Sequence, residues 1–308
     1  MNFLQLIRYK NLLMLAFMQL LFRYGFLNLQ NIPLALTTLQ YLLLVLSTVL
    51  LAAAGYVINN IFDQDTDLTN KPQEVIVGQK ISETNAYTIY MVLNSIGVAI
   101  GFYLSNVINK PSFAVLFILI AATLYLYASS LKQMAVIGNL VVAILLSFSI
   151  LIIGIFDLFP AINPQNQTAM ASFFAILIDY AVFAFMINFI REIVKDLEDH
   201  NGDYQQAMRT LPIVLGIQRT QKIVFVLSCI PIICLLVYSY NYLVNNHLFV
   251  ATAYSFVALI GPMAVFSIKI LTAKTQKDFN ELSTLLKWIL FFGIVSIAVI
   301  TFNIQHHA

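Results

Sequence analysis

Nine long apolar runs, near residues 11–29, 38–62, 84–107, 111–130, 134–157, 169–190, 222–243, 248–272 and 283–303, dictate the solvent in which this 308-residue chain folds. Each is long enough to cross a bilayer as a helix, which takes about 20 apolar residues. Their continuity excludes a membrane barrel, whose strands alternate in polarity over about 10 residues. Hydrophobic residues make up 60% of the chain and charged ones 10%, and the mean hydropathy is +0.86. A soluble domain carries about 25% charge, so soluble folds are excluded, as are disorder, collagen and coiled coil. The expectation is an all-α polytopic membrane protein, nine transmembrane helices in a bundle around a central cavity, forming a single domain over residues 1–308. No small-residue cleavage site follows the first run, which therefore reads as a retained span. Cys229 and Cys234 lie five apart in one apolar run and read as small hydrophobes, not as a disulfide or a metal pair.

Charge gives the bundle a direction. With the N-terminus cytoplasmic, Arg8, Lys10, Lys71, Lys80, Lys132, Arg191, Lys195, Arg209, Arg219, Lys222, Lys269, Lys274 and Lys277 fall on the cytoplasmic side. Only Lys110 falls opposite, while Arg23 and Lys287 lie within or near spans. The positive-inside rule then predicts a multi-pass cell-membrane protein with cytoplasmic site loops and its C-terminal tail, with His306 and His307, outside.

The carboxylates follow the cations. Asp63, Asp65 and Asp67 follow the second run; Glu192, Asp196, Glu198, Asp199 and Asp203 follow the sixth. Acids packed at the ends of apolar helices are costly unless paired or bound to metal. Asn59, Asp63 and Asp67 recur every four residues and so share one helical face, while Asp65 points elsewhere. Glu192, Lys195, Asp196 and Asp199 share another face, and Asn201-Gly202 signals a turn that swings Asp203 round. Hard oxygen donors in partial coordination suit magnesium, which commonly takes one or two carboxylates plus substrate phosphates. Two such ledges across a bundle suit a magnesium-bound diphosphate with an isoprenoid tail in the apolar interior. The alternative for either segment by itself is a solvated polar loop. The chain permits two similar half-bundles, one acidic segment in each, without establishing a duplication.

These residues carry a resemblance. Asn59, Asn60, Asp63 and Asp67, followed by Asn70, Lys71, Pro72 and Gly78, resemble the N-D-x-x-D-x-x-x-D signature of the UbiA-type intramembrane prenyltransferases. Asp199 and Asp203 resemble that family's second aspartate motif, and Tyr127, Leu131, Lys132, Gly138 and Asn139 its Y…LK…GN stretch. The segment from Arg191 to Asp203, with Arg209, Thr210, Leu211 and Pro212, is most similar to the digeranylgeranylglyceryl phosphate synthases of the family. Two features depart from the pattern: Asn60 stands where an aspartate is usual, and residues 73–77 lack the frequent Arg-Pro.

The resemblance implies magnesium-dependent transfer of a polyprenyl group, geranylgeranyl by preference, from its diphosphate to a lipid-like or aromatic acceptor among membrane lipids. The lipid acceptor implied is geranylgeranylglyceryl phosphate. Asn59, Asp63, Asp67, Asp199 and Asp203 are then the metal and catalytic set. Lys132 is expected on the diphosphate, the alternative being a topology-setting loop charge. Arg191 and Lys195 are expected on an acceptor phosphate with Lys195 preferred, the alternative being ion pairs to Glu192 and Asp199 within the helix, and Arg8, Asn11 and Tyr127 at the edge of the site. Arg8 serves equally as a surface anchor, and Arg23 either snorkels or pairs within the bundle. Prenylation of hydroxybenzoate or dihydroxynaphthoate is the alternative chemistry. A cation-coupled transporter is the alternative class, and it predicts broken polar helices at midplane where this chain is apolar. Asp179, His200 and His247 have no evident partner, and no nucleic-acid-binding pattern is present.

Overall fold

The computed structural model describes residues 2–70, 72–73 and 75–306, so Lys71 of the first motif and His307 of the tail lie outside the described residues, as do the side chains of Thr69 and Asn70. Among the described residues nine helices are long and apolar enough to cross a membrane. They are α1 (Tyr9–Gln30), α2 (Thr38–Phe62), α3 (Glu83–Val107), α4 (Pro111–Ser129), α5 (Ile137–Ala161), α6 (Gln167–Glu198), α7 (Ile217–Val244), α8 (Phe249–Ile270) and α9 (Gln276–His306). The expected all-α membrane bundle is what the chain forms.

Several ends differ from the apolar runs for a physical reason. Helical hydrogen bonding does not stop where lipid stops, so α6, α7 and α9 extend into polar sequence at the aspartate end. There α9 is capped by Asp278, which accepts from the backbone N–H of Lys274 and of Thr275 at 2.9 Å each. Thr37 and Gln40 form a reciprocal capping box at the start of α2. In contrast α5 starts late, because Met134 is held extended in a bridge to Arg209.

Packing inverts the soluble pattern. Leu39, Val257 and Ile268 are at least 69% exposed and face outward, where hydrocarbon is the solvent. Polar groups turn inward and join helices: Ser47 Oγ donates to Gly97 O (2.7 Å) between α2 and α3, and Ser228 Oγ bonds Ser267 Oγ (2.7 Å) between α7 and α8. The helices close a ring in which α1 packs on α2, α5 and α9, α5 on α4 and α6, and α6 on α9; α3 backs α2 and α4, while α7 and α8 back α6 and α9. One apolar core joins α1, α2, α5 and α6, and a second joins α6 to α9.

Candidate active site

The first ledge grows out of α2. The helix ends at Phe62, Asp63 caps it, and a short helix Gln64–Asn70 resumes at once. Backbone hydrogen bonds from Asp63 N to Asn59 O (2.9 Å) and from Asp67 N to Asp63 O (2.8 Å) carry the helical register across the break, so the four-residue spacing keeps its meaning. Asn59 donates its amide to Asp63 Oδ2. Its own Oδ1 is buried with no hydrogen-bond partner among the described residues. Asp65 is exposed, as its spacing predicts. Asn60 instead donates to Tyr56 O at 2.7 Å and reaches Leu6 O at 3.4 Å, so the residue that departs from the family pattern serves the backbone.

The second ledge is the end of α6. Asp199 is its C-cap, and a short helix His200–Gln205 follows. The turn expected at Asn201-Gly202 is absent, because both residues lie inside that helix and the chain bends two residues earlier, at Asp199. Asp203 N still bonds Asp199 O at 3.1 Å, which stacks the two carboxylates one turn apart. Thr210 donates its hydroxyl to Asp203 Oδ2 (3.1 Å). Burial drives the Asp203 carboxyl up to about 7, further raised by Asp199 and Asp63, with Thr210 and Lys132 opposing.

The short helices Gln64–Asn70 and His200–Gln205 pack against each other, so the two ledges meet at one end of the bundle. Between them projects the α4–α5 loop. Lys132 Nζ contacts Asp63 Oδ1 directly, and Arg209 N donates to Gln133 O at 2.9 Å, which ties the loop to the second ledge. Gly138 allows this approach: a Cβ there would lie 2.8 Å from Lys132 Cα. Asn139 donates to Asp196 Oδ2 (2.8 Å), removing Asp196 from the open side.

Cations gather on the other flank. Lys195 Nζ bonds Glu192 Oε1 at 2.6 Å, and Arg191 reaches the same oxygen at 3.5 Å while donating Nε to Ser283 O at 3.3 Å. Arg8, over the Tyr56 ring at 5.4 Å, is within electrostatic reach of Glu192, Lys195 and Lys287. Tyr127 is within electrostatic reach of Glu192, Asp63 and Asp196. Beneath them opens a cavity of about 100 Å³ with Asn11, Arg191 and Lys287 at its polar end and Met14, Met18 and Phe22 on its apolar wall. Lys287 Nζ bonds Asn11 Oδ1 at 2.6 Å.

The structure therefore brings Asn59, Asp63, Lys132, Asp199 and Asp203 to one place, continues the first ledge through Asp67, and sets Arg8, Tyr127, Arg191 and Lys195 beside it. Lys195 is turned into its pair with Glu192, and Arg191 lines the cavity. Sequence reasoning gave no site role to Lys287 or Thr210. A lysine within an apolar run was the available signal for the first; the second was read only as part of the segment that carries the resemblance. Among the described residues no three acidic, His or Cys side chains already form a cage for one ion. The donor set still suits a hard cation: a buried amide oxygen of Asn59 with no hydrogen-bond partner among the described residues, and a carboxyl at Asp203 that burial pushes up to about 7.

Residues 30–291 match the model of the UbiA prenyltransferase family. The chain is 30% identical over 253 residues to the digeranylgeranylglyceryl phosphate synthase of Methanobrevibacter smithii, covering 82% of this chain and 83% of that one. It is 28% identical over 257 residues to the synthase of the same name from Korarchaeum cryptofilum, covering 83% of each. The fold is shared with a solved digeranylgeranylglyceryl phosphate synthase (TM-score 0.64, 23% identity, 97% of each chain). It is also shared with a UbiA homolog from Archaeoglobus fulgidus bound to DMAPP and Mg2+ (TM-score 0.59, 16% identity, 96% of this chain and 99% of that one). With two facing aspartate ledges at one end of a helical bundle and a family match over most of its length, this chain belongs to the UbiA prenyltransferase family and is a membrane-embedded prenyltransferase.

Proposed function

We infer that the protein transfers a geranylgeranyl group from its diphosphate to the hydroxyl of geranylgeranylglyceryl phosphate, building an ether lipid. The observation that carries this reading is the separation of two anion-binding regions by charge type. On one flank, among the described residues, stand carboxylates with Lys132 between them, suited to a metal-bound diphosphate. On the other, Arg191 and Lys287 line an apolar cavity with Arg8 within electrostatic reach of Lys287, suited to a second anion that carries its own lipid tail. An aromatic carboxylic acid needs less cationic charge than a phosphomonoester, so this flank favours the phosphorylated lipid over a quinone precursor.

Asn59, Asp63 and Asp67 on one ledge and Asp199 and Asp203 on the other would hold magnesium, which would supply neutralisation of the departing diphosphate. Lys132 is placed to leave Asp63 for a diphosphate oxygen and thereby to stabilise negative charge as the carbon–oxygen bond breaks. Tyr127 borders the position where an allylic cation develops. Thr210, Asn139 and the pairing of Arg209 with the lysine loop hold the ledges at fixed separation. Arg8, Arg191 and Lys287 orient the acceptor, and Lys195 stabilises Glu192 beneath them. The charge asymmetry supports a cytoplasmic position for this end of the bundle.

Purified protein incubated with magnesium, geranylgeranyl diphosphate and geranylgeranylglyceryl phosphate is expected to give the digeranylgeranyl ether, read by mass spectrometry. Hydroxybenzoate and dihydroxynaphthoate serve as competing acceptors. Asp63→Ala and Asp199→Ala are expected to abolish product while the protein still inserts. Wild-type rates in both, or product only with an aromatic acid, overturn the reading.

A further inference from the structure

Away from the aspartates, α6, α7, α8 and α9 surround a second cavity of about 490 Å³, within the range of about 300–1,000 Å³ usual for small-molecule sites. Asp179 lines it. This residue sits 12 positions after the start of α6 and 20 before Asp199, about 18 Å and 30 Å along the helix. A carboxylate at that depth is costly unless something answers its charge. Among the described residues the cavity wall holds no lysine, arginine or histidine.

Asp179 shares the cavity wall with four tyrosines. Tyr180, Tyr238, Tyr242 and Tyr254 all line the cavity, and the Tyr238 and Tyr242 rings lie 4.8 Å apart between centroids. The hydroxyl of Tyr180 is bonded to Ser296 Oγ (2.8 Å) and that of Tyr254 donates to Phe292 O (2.9 Å). These two rings are thus pinned by their polar ends. Tyrosine faces attract cations through the ring quadrupole, and more so where water is excluded.

The backbone is specialised at the same place. α7 and α8 each change to a π-helix where they border the cavity, over Ser239–Val244 and Ser255–Ile260. The two segments are joined by Ser239 Oγ and Ser255 Oγ at 2.9 Å. Such wide turns are rare and concentrate at functional sites. Asn241, Tyr242, Ser255 and Leu259 reach the cavity from them. The remaining wall is hydrocarbon, including Val182, Ile233 and Ile300.

We propose that this cavity binds an ammonium-bearing membrane amphiphile, its cationic head between Asp179 and the tyrosine rings and its alkyl chain along the apolar wall. Tyr180, Phe183 and Gly293 line both cavities, but the head group proposed here has the charge opposite to the phosphates of either substrate. The site stands whichever acceptor the enzyme uses.

The test is calorimetric titration of decyltrimethylammonium into the full-length protein in a neutral maltoside detergent, with tetramethylammonium and decyl sulfate as comparison arms. Saturable one-to-one binding of the cationic amphiphile is expected, weakened about tenfold or more by Asp179→Asn and by Tyr238→Leu, and unaltered by Asp63→Asn at the other end of the bundle. The proposal is overturned if decyl sulfate binds as well as the cation in the wild-type protein, or if Asp179→Asn binds like wild type. Equal binding of chainless tetramethylammonium overturns the amphiphile assignment. The comparison between decyl cation and decyl anion needs no variant, so a poorly folding substitution leaves the test intact.

Discussion

Single side chains decide how the site handles charge. Lys132 is the cation that touches Asp63, and its removal leaves the diphosphate without that partner. Lys132→Met is expected to lower kcat/KM by about 10²-fold or more, with Lys132→Arg recovering only part, since a planar fork does not replace a point charge. On the acceptor flank, Lys287→Met is expected to raise KM for the phosphorylated acceptor with little change in KM for the prenyl diphosphate. Steady-state kinetics with each substrate varied in turn checks this, and equal effects on both would place Lys287 in the shared machinery instead. Asp203 gives a pH signature. Its folded value of about 7 lies above the ordinary carboxylate range, so the folded chain binds more protons than the unfolded one between about pH 4 and 7. Stability therefore falls as pH rises through that window. The melting temperature of Asp203→Asn relative to wild type, measured without divalent ions, is expected to rise from pH 5 to pH 8. Added magnesium should reverse the trend in wild type, because an ionised carboxylate is what the metal binds.

At the scale of elements, the far end of the bundle is fastened by a buried pair. Arg23, at the end of α1, meets Asp157 in α5 at 3.2 Å and donates to Leu36 O at 2.5 Å, while Asp157 Oδ1 accepts from Leu36 N at 2.9 Å. The guanidinium also lies over the Tyr41 ring at 4.3 Å. Two helices and the α1–α2 connection thus share one charge pair, and the buried-pair reading of Arg23 is the one the structure realises. Breaking such a pair strands a charge in the interior and costs about 3–5 kcal/mol. Arg23→Met is therefore expected to lower the melting temperature sharply, and Arg23→Met combined with Asp157→Leu to recover much of the loss. A double variant as unstable as the single would show that the backbone bonds, not the charges, hold this corner. The lysine loop is a second such junction: Val136 adopts φ 68°, unfavourable for a β-branched residue, and is held there between Met134, tied to Arg209, and Gly138, pressed against Lys132.

For the whole molecule, the aspartate ledges sit at one end, and exposed apolar side chains cover much of the rest. The charge asymmetry is the basis for proposing that this end faces the cytoplasm. Cysteines introduced at Glu83, beside the aspartate end, and at Asn245, in the α7–α8 connection, are expected to react with a membrane-impermeant maleimide from opposite sides of sealed vesicles, Glu83→Cys from the cytoplasmic one. Reaction of both from one side contradicts the nine-helix threading, and exchange of the two sides inverts the orientation.

The chain's own pattern determined much of this. Runs of apolar sequence can be satisfied in lipid only as helices, because every backbone group must then bond within its own segment; the element order follows almost directly. The four-residue spacing of Asn59, Asp63 and Asp67 survived a helix break because local hydrogen bonding preserved the register. Tertiary structure alone decided which of the charges meet. Lys195 was the preferred candidate for the acceptor phosphate by resemblance, yet the alternative that helical spacing allowed, a pair with Glu192 three residues away, is the one formed. Lys287 lies 276 residues from the Asn11 that it touches, and Thr210 faces Asp203 around a short helix whose Asn-Gly pair suggested a turn. Contacts of that kind depend on which faces of a closed ring look inward, and periodicity within one helix carries no information about the rotation of the next.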